Sequence, residues 1–101
     1  EQGTRRMSLE FEWDSRKASE NRRKHGVTFE EAATVFGDPL AVVFNDDDHS
    51  IGERREIVIG HSDEHRLLLV AFTERGGKIR IISARNVTKW ERRDHEESNI
   101  Y

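Results

Sequence analysis

Between Arg80 and Arg93 the sequence reads RIISARNVTKWERR, with five cations (Arg80, Arg85, Lys89, Arg92 and Arg93) against the single acid Glu91. The two leading arginines bracket the apolar run Ile81-Ile82-Ser83-Ala84, which has the composition of a strand. A guanidinium in such a strand must snorkel to solvent along its own stem or meet an anion. Guanidinium forks match phosphate oxygens in pairs. A helix opening near Thr88 would add backbone N–H donors and the positive end of its dipole. The chemistry within reach is recognition of a phosphate-bearing ligand. The alternative is internal: Arg80 or Arg85 bridged to Glu53, Glu56 or Glu91, since ion pairs are common in a chain that is 37% charged.

The net charge of −3 conceals a polarity along the chain. Residues 28–50 hold six acids and no Lys or Arg, whereas residues 75–95 hold seven bases against two acids, a net of +5. A chain so divided can present a cationic face to a polyanion, although two solvated surfaces would account for the same division.

Other chemistries are poorly served. The five histidines are scattered, and none is paired at helical zinc spacing; His61 and His65 straddle an expected turn. With no cysteine there are no disulfides, no thiolate metal sites and no cysteine nucleophile. NDDDHSIGE has its glycine misplaced for an EF-hand and reads as an acidic loop. RGGK lacks the strand–loop–helix setting of a phosphate loop and reads as a two-glycine hairpin turn. There is no Gly-x-Ser-x-Gly elbow, and Ser83 has no evident base. Trp13 and Trp90 could each stack on a base, but core packing is the expectation for both.

The elements that must position the cationic stretch follow from pattern. LEFEWD alternates as a short strand, with Leu9, Phe11 and Trp13 on one side. Asp14 caps a nearly all-polar helix, SRKASENRRKH, which stops at Gly26. Thr28 and Glu31 have capping-box spacing, Val27 is placed to staple onto Ala32, and Phe29, Ala32, Ala33 and Phe36 form a helical stripe ended by Gly37-Asp38-Pro39. Four short apolar runs follow (Leu40 to Phe44, Arg55 to His61, Arg66 to Glu74, Lys78 to Ala84), joined by tight turns as in an antiparallel meander. Runs apolar at consecutive positions predict a sheet partly covered on both faces. Thr88 and Glu91 repeat the capping box before a last helix. The expectation is one α+β domain over residues 8–101, a small antiparallel sheet with packed helices in the order β-α-α-β-β-β-β-α. Residues 1–7 are set apart as a disordered tail or cloning remnant, Met7 being a natural start.

The segments FEWDSRKASENRRKHGVTFEEAATVFGDP, ERREIVIG and RIISARNVTKWER together resemble the BrnT family of bacterial toxins, the toxin half of type II toxin–antitoxin pairs. The resemblance runs from about Phe11 to His95 and rests on Trp-Asp-x-x-Lys, Lys-His-Gly-Val, and Arg-Ile-Ile-Ser-Ala-Arg with a following Glu-Arg. It implies a RelE-like fold and a cytoplasmic ribonuclease that inhibits translation and needs no metal or cofactor. It also implies a BrnA-type ribbon-helix-helix antitoxin, through which alone operator DNA is bound; no apolar run approaches the roughly 18–20 residues that span a bilayer, so no membrane association is expected. The implied catalytic residues are Arg54, Arg80, Arg85, Glu91 and His95. Arg80, Arg85 and Arg54 are matched to phosphate binding and transition-state charge, and Glu91 to proton acceptance or to orienting an arginine. Lys24, Ser83, Lys89 and Arg92 are the implied RNA contacts, and His25 is read as fixing the turn at Gly26. Many members carry Tyr where His95 stands; imidazole is a competent acid–base group, but a residue that only stacks or packs would be weakened here. The alternative is therefore a weak or inactive module that binds its antitoxin and serves autoregulation; a third is a small RNA-binding domain with a basic patch. One difficulty is parity: on an ideal strand Arg80 faces away from Ser83 and Arg85 unless a bulge intervenes.

Overall fold

The computed structural model describes residues 9–98, except the side chains of Asp94, His95, Glu97 and Ser98; the segment 1–7 lies outside the described residues. The chain forms β1 (Phe11–Glu12), α1 (Ser15–His25), α2 (Phe29–Thr34), β2 (Val42–Asn45), β3 (Glu56–His61), β4 (Leu67–Arg75), β5 (Lys78–Asn86) and α3 (Lys89–Ser98). Single 3-10 turns at Val35–Gly37 and Asp47–His49 complete it. The order of elements is the expected one.

Local rules explain the boundaries. Asp14 Oδ1 accepts from the N–H groups of Arg16 and Lys17 at 2.8 and 3.1 Å, and Gly26 closes α1 in the left-handed region at φ 69°. Thr28 Oγ1 caps α2 through the Glu31 N–H at 3.0 Å. The Glu31 carboxylate does not return to close the box: it receives the Arg66 guanidinium and, at 2.6 Å, the Ser62 hydroxyl, which ties the β3–β4 turn to α2. Between β4 and β5, Gly76 and Gly77 both adopt positive φ, the two-residue hairpin turn that RGGK predicts.

The five strands lie in the order β1-β5-β4-β3-β2. β2 through β5 form the antiparallel meander, but β1 runs parallel to β5, with Phe11 opposite Ile79 and Glu12 opposite Arg80. The sheet is therefore mixed, which corrects the antiparallel expectation. Only a hairpin forces antiparallel neighbours. β1 leads instead into α1 and α2, which pass over β5 and reach β3 through the 3-10 turn, so the chain enters β2 at the opposite edge. The core lies beneath this crossing, where Val27, Phe29, Ala32 and Val35 meet Val58, Leu68, Val70, Phe72, Ile81 and Ala84. Phe36 bridges Phe11 and Phe72 at centroid distances of 5.3 and 5.0 Å, and Trp13 packs edge-on against Phe29 at 5.9 Å, the core role expected of it.

Candidate active site

The parity difficulty is resolved in β5. Phe72 pairs with Ile81 while Ala71 pairs with Ser83, so Ile82 is one residue more than β4 can match. Before this bulge Arg80 stands across from Thr73, and beyond it Ser83 and Arg85 stand across from Ala71 and Leu69. Leu69 and Ala71 alternate with the buried Leu68, Val70 and Phe72, so the bulge brings the three candidate residues to one side of the sheet, with Ser83 at the β5 edge where it still borders α1. Strand rise over the residues from Leu69 to Thr73 still sets Arg80 and Arg85 about 13 Å apart at the backbone. Side chains of that length span successive phosphates more readily than one.

Arg85 is held at the start of α3. Its Nη1 and Nη2 donate to the two oxygens of Glu91 at 2.9 and 2.8 Å, and Nη1 also donates to the Asn86 carbonyl at 3.1 Å. Both halves of the second capping box form: the Thr88 N–H reaches Glu91 Oε1 at 2.8 Å and the Glu91 N–H reaches Thr88 Oγ1 at 3.2 Å. The Arg85 guanidinium, aided by the Thr88 N–H, lowers the Glu91 pKa to about 2 against the cost of burial. Glu91 is thus a full carboxylate at neutral pH and a feeble base, while the same pair raises the Arg85 pKa.

Beside the bulge lies a concavity of about 160 Å³ bordered by Lys17, Glu20, Asn21, Lys24, His25, Ile82 and Ser83. The structure thus brings the predicted Lys24 and Ser83 together and adds Lys17, the lysine of the Trp-Asp-x-x-Lys motif. Asn21 sets this geometry. It is the buried residue of α1; its Nδ2 donates to the carbonyls of Val27 and Ala84 at 3.0 and 2.8 Å, and its Oδ1 accepts from the Ala84 N–H at 3.0 Å. β1 pairs with β5 only at Ile79 and Arg80, so the Asn21 amide satisfies the backbone of Ala84, between Ser83 and Arg85, where no strand continues. No local pattern singles out Asn21; a lone amide on a polar helix before a glycine stop is the available signal.

Other expected members are dispersed. Arg80 meets Glu12, its cross-strand partner, at 3.4 Å. Arg54, in the loop before β3, donates to Asn45 Oδ1 at 2.8 Å and borders a separate concavity with Glu53, Glu56, Thr73 and Glu74, whose three carboxylates disfavour a polyanion. Lys89 and Arg92 are exposed on α3. His95 lies one turn after Glu91 in α3, with its side chain outside the described residues. Trp90 is not in the core: it is 69% exposed, with the Arg93 guanidinium carbon 5.3 Å from its ring centre. The Arg85–Glu91 pair and the capping box fix the rotation of α3 with Glu91 toward the sheet, and Trp90, about 100° round the helix, lies outside that contact and in solvent. Among the described residues no cluster of His, Asp and Glu is arranged to hold a metal, and no helix is long and apolar enough to cross a membrane.

A family model described as "Ribonuclease toxin, BrnT, of type II toxin-antitoxin system" matches residues 13–91. The chain belongs to the BrnT family. The span takes in every expected site residue except Arg92 and His95. Among solved structures, the 1.1 Å crystal structure of the Brucella abortus ribonuclease toxin BrnT matches 81% of this chain and 100% of that one, with a TM-score of 0.62 and 24% sequence identity, a likeness of fold. No curated protein matches the sequence. As a BrnT-family ribonuclease toxin of a type II system, the chain has an antitoxin for a partner.

Proposed function

We propose that this chain is an endoribonuclease in which the substrate's own 2′-hydroxyl attacks the adjacent phosphorus at the surface shared by α1, β5 and α3. The 2′-oxygen loses its proton as its bond to phosphorus forms. The bond from phosphorus to the 5′-oxygen breaks, and that oxygen takes up a proton. The products are a 2′,3′-cyclic phosphate and a 5′-hydroxyl end, and no metal or cofactor is required. The protein must orient the hydroxyl, move two protons and stabilise charge on the phosphorane.

Arg85 carries this reading. Three of the five donors of its guanidinium are engaged by Glu91 and Asn86, which aims the group and leaves two donors for a pair of phosphate oxygens. Ser83, Lys17 and Lys24 flank the same phosphate, and Arg80 meets a neighbouring one. Glu91 orients Arg85 rather than accepting a proton, and His95, a turn along α3, is the proton carrier. Lys89 and Arg92 extend the RNA path, while Arg54 stands outside it.

In the cell this activity cuts messenger RNA and inhibits translation in the cytoplasm. A BrnA-type ribbon-helix-helix antitoxin neutralises it by covering the cationic surface, and the complex represses its own operon through the antitoxin. The family's RelE-like fold accords with the meander and its crossing helices. The test is cleavage of RNA in EDTA with end-group analysis, beside Arg85→Ala. Cyclic phosphate and 5′-hydroxyl ends should form and fall about 100-fold or more in the variant, the scale of one lost charge-stabilising donor. Other ends, or equal cleavage by the variant, would refute the assignment.

A second reading draws on the pairing of Arg85 with Glu91 and of Arg80 with Glu12, which neutralises both arginines within the chain. In that case the domain chiefly binds its antitoxin, and Arg80→Ala/Arg85→Ala would leave growth unaffected by either form. The enzymatic reading predicts that the double variant abolishes growth arrest yet still binds antitoxin.

A further inference from the structure

Two aromatic side chains among the described residues are exposed, Phe44 and Trp90, and only Trp90 is set among cations. Lys89, Trp90, Arg92, Arg93 and Glu96 border a depression of about 360 Å³ along α3, where, among the described side chains, three positive groups face one acid. A neutral apolar partner would cover the indole only by stripping water from three cations. A ligand that is both planar and anionic satisfies the whole surface, because its ring stacks on the indole while its charge meets the cations. An unpaired nucleotide has this chemistry. The location agrees with it, since the residue after Trp90 is Glu91, whose carboxylate holds Arg85.

We propose that Trp90 and Arg93 form a stacking platform for an unpaired base of single-stranded RNA, with Lys89 and Arg92 on its flanking phosphates. The assignment deepens, and rests on, the reading of Arg85 as the phosphate site. Substrate is gripped on the helix whose Glu91 holds the Arg85 guanidinium, and a base held there sets which phosphate reaches Arg85.

The probe is a single-stranded oligoribonucleotide 2′-O-methylated throughout, which cannot undergo 2′-hydroxyl attack, titrated against the full chain by tryptophan fluorescence and by anisotropy of a labelled strand. Wild-type emission is quenched on binding. Trp90→Ala weakens binding about 10-fold, the scale of one lost base stack, while Trp90→Phe stays within about threefold of wild type. Leu40→Ala, at another exposed apolar side chain, before the far-edge strand β2, binds as wild type. Equal affinity of wild type and Trp90→Ala overturns the platform, as does absence of wild-type binding. So does a Trp90→Ala variant that loses its antitoxin while RNA binding is unchanged, which would make the surface a protein interface. Cleavage of unmodified RNA is scored separately. Trp90-dependent binding without cleavage upholds the platform and refutes the proposed reaction, and cleavage with Trp90-independent binding does the reverse.

Discussion

The two oxygens of Glu91 serve two elements at once, the Arg85 guanidinium on β5 and the Thr88 N–H that opens α3. Because its folded pKa, about 2, lies below the ordinary 4.5, its contribution to stability is complete above pH 4.5 and vanishes as pH falls through 2. Glu91→Gln should therefore cost about 1–2 kcal/mol at pH 7, allowing for solvent screening at this half-exposed pair, and the difference from wild type should close as the medium is acidified. Urea unfolding at pH 7 and near pH 3 measures both; a gap of constant size would exclude the ion pair as its source. Asn21 is the companion case. Asn21→Ala leaves the Ala84 N–H and two carbonyls without their partner, and a loss of about 2–3 kcal/mol is expected from orphaned backbone groups at a partly sealed edge. Cleavage by the folded variant should drop further than its stability explains, because Ser83 and Arg85 flank the released backbone.

Among the elements, β5 decides the most. Its bulge changes the parity of the strand between Arg80 and Arg85, so that Ile79 and Ile81 on one side of the bulge and Ala84 on the other all reach the core. The packing of the far edge is equally tight at Gly60 of β3. A Cβ there would lie 2.9 Å from Ala41 Cβ, 3.0 Å from Asp38 Oδ2 and 3.1 Å from Val35 Cγ1. Asp38 cannot simply withdraw, since the same oxygen accepts the His61 N–H at 2.7 Å. Gly60→Ala should lower stability by about 1–3 kcal/mol, read from thermal or urea unfolding. A neutral result would mean that the 3-10 turn over β3 yields without cost.

On the scale of the whole molecule, the polarity of charge becomes a polarity of surface. Acids gather around the β2–β3 loop and its concavity with Glu53, Glu56 and Glu74, while Lys17 and Lys24 of α1 and Lys89, Arg92 and Arg93 at the start of α3 carry cations. RNA affinity should thus fall with salt in spite of the net charge of −3. Contacts to three or four phosphates of a single strand predict a slope of log K against log salt of about −2 to −3. A flat titration would show that the cationic surface does not meet phosphate. The antitoxin should protect the same surface from hydrogen exchange and leave the acidic end unprotected, because covering the cations is the direct way to block a polyanion.

Much of this was legible in the order of the residues alone. Caps at Asp14, Thr28 and Thr88, the glycine stop at Gly26, the paired glycines of the last hairpin and the apolar runs specify every helix and strand, because those signals act within one turn of chain. The cationic segment and its likeness to a toxin family were equally legible, since both are written in consecutive residues. What only the tertiary structure decided depends on groups distant in sequence. The parallel docking of β1 follows from where the crossing helices deliver the chain, and the bulge from how β4 and β5 must align for Ile81 and Ala84 both to be buried. Asn21 and Ala84 meet across 63 positions, which no local pattern records. Trp90 carries the same lesson in reverse. An apolar side chain on a helix predicts burial, but a carboxylate next to it, claimed by an arginine on another element, turned the helix and left the indole in water.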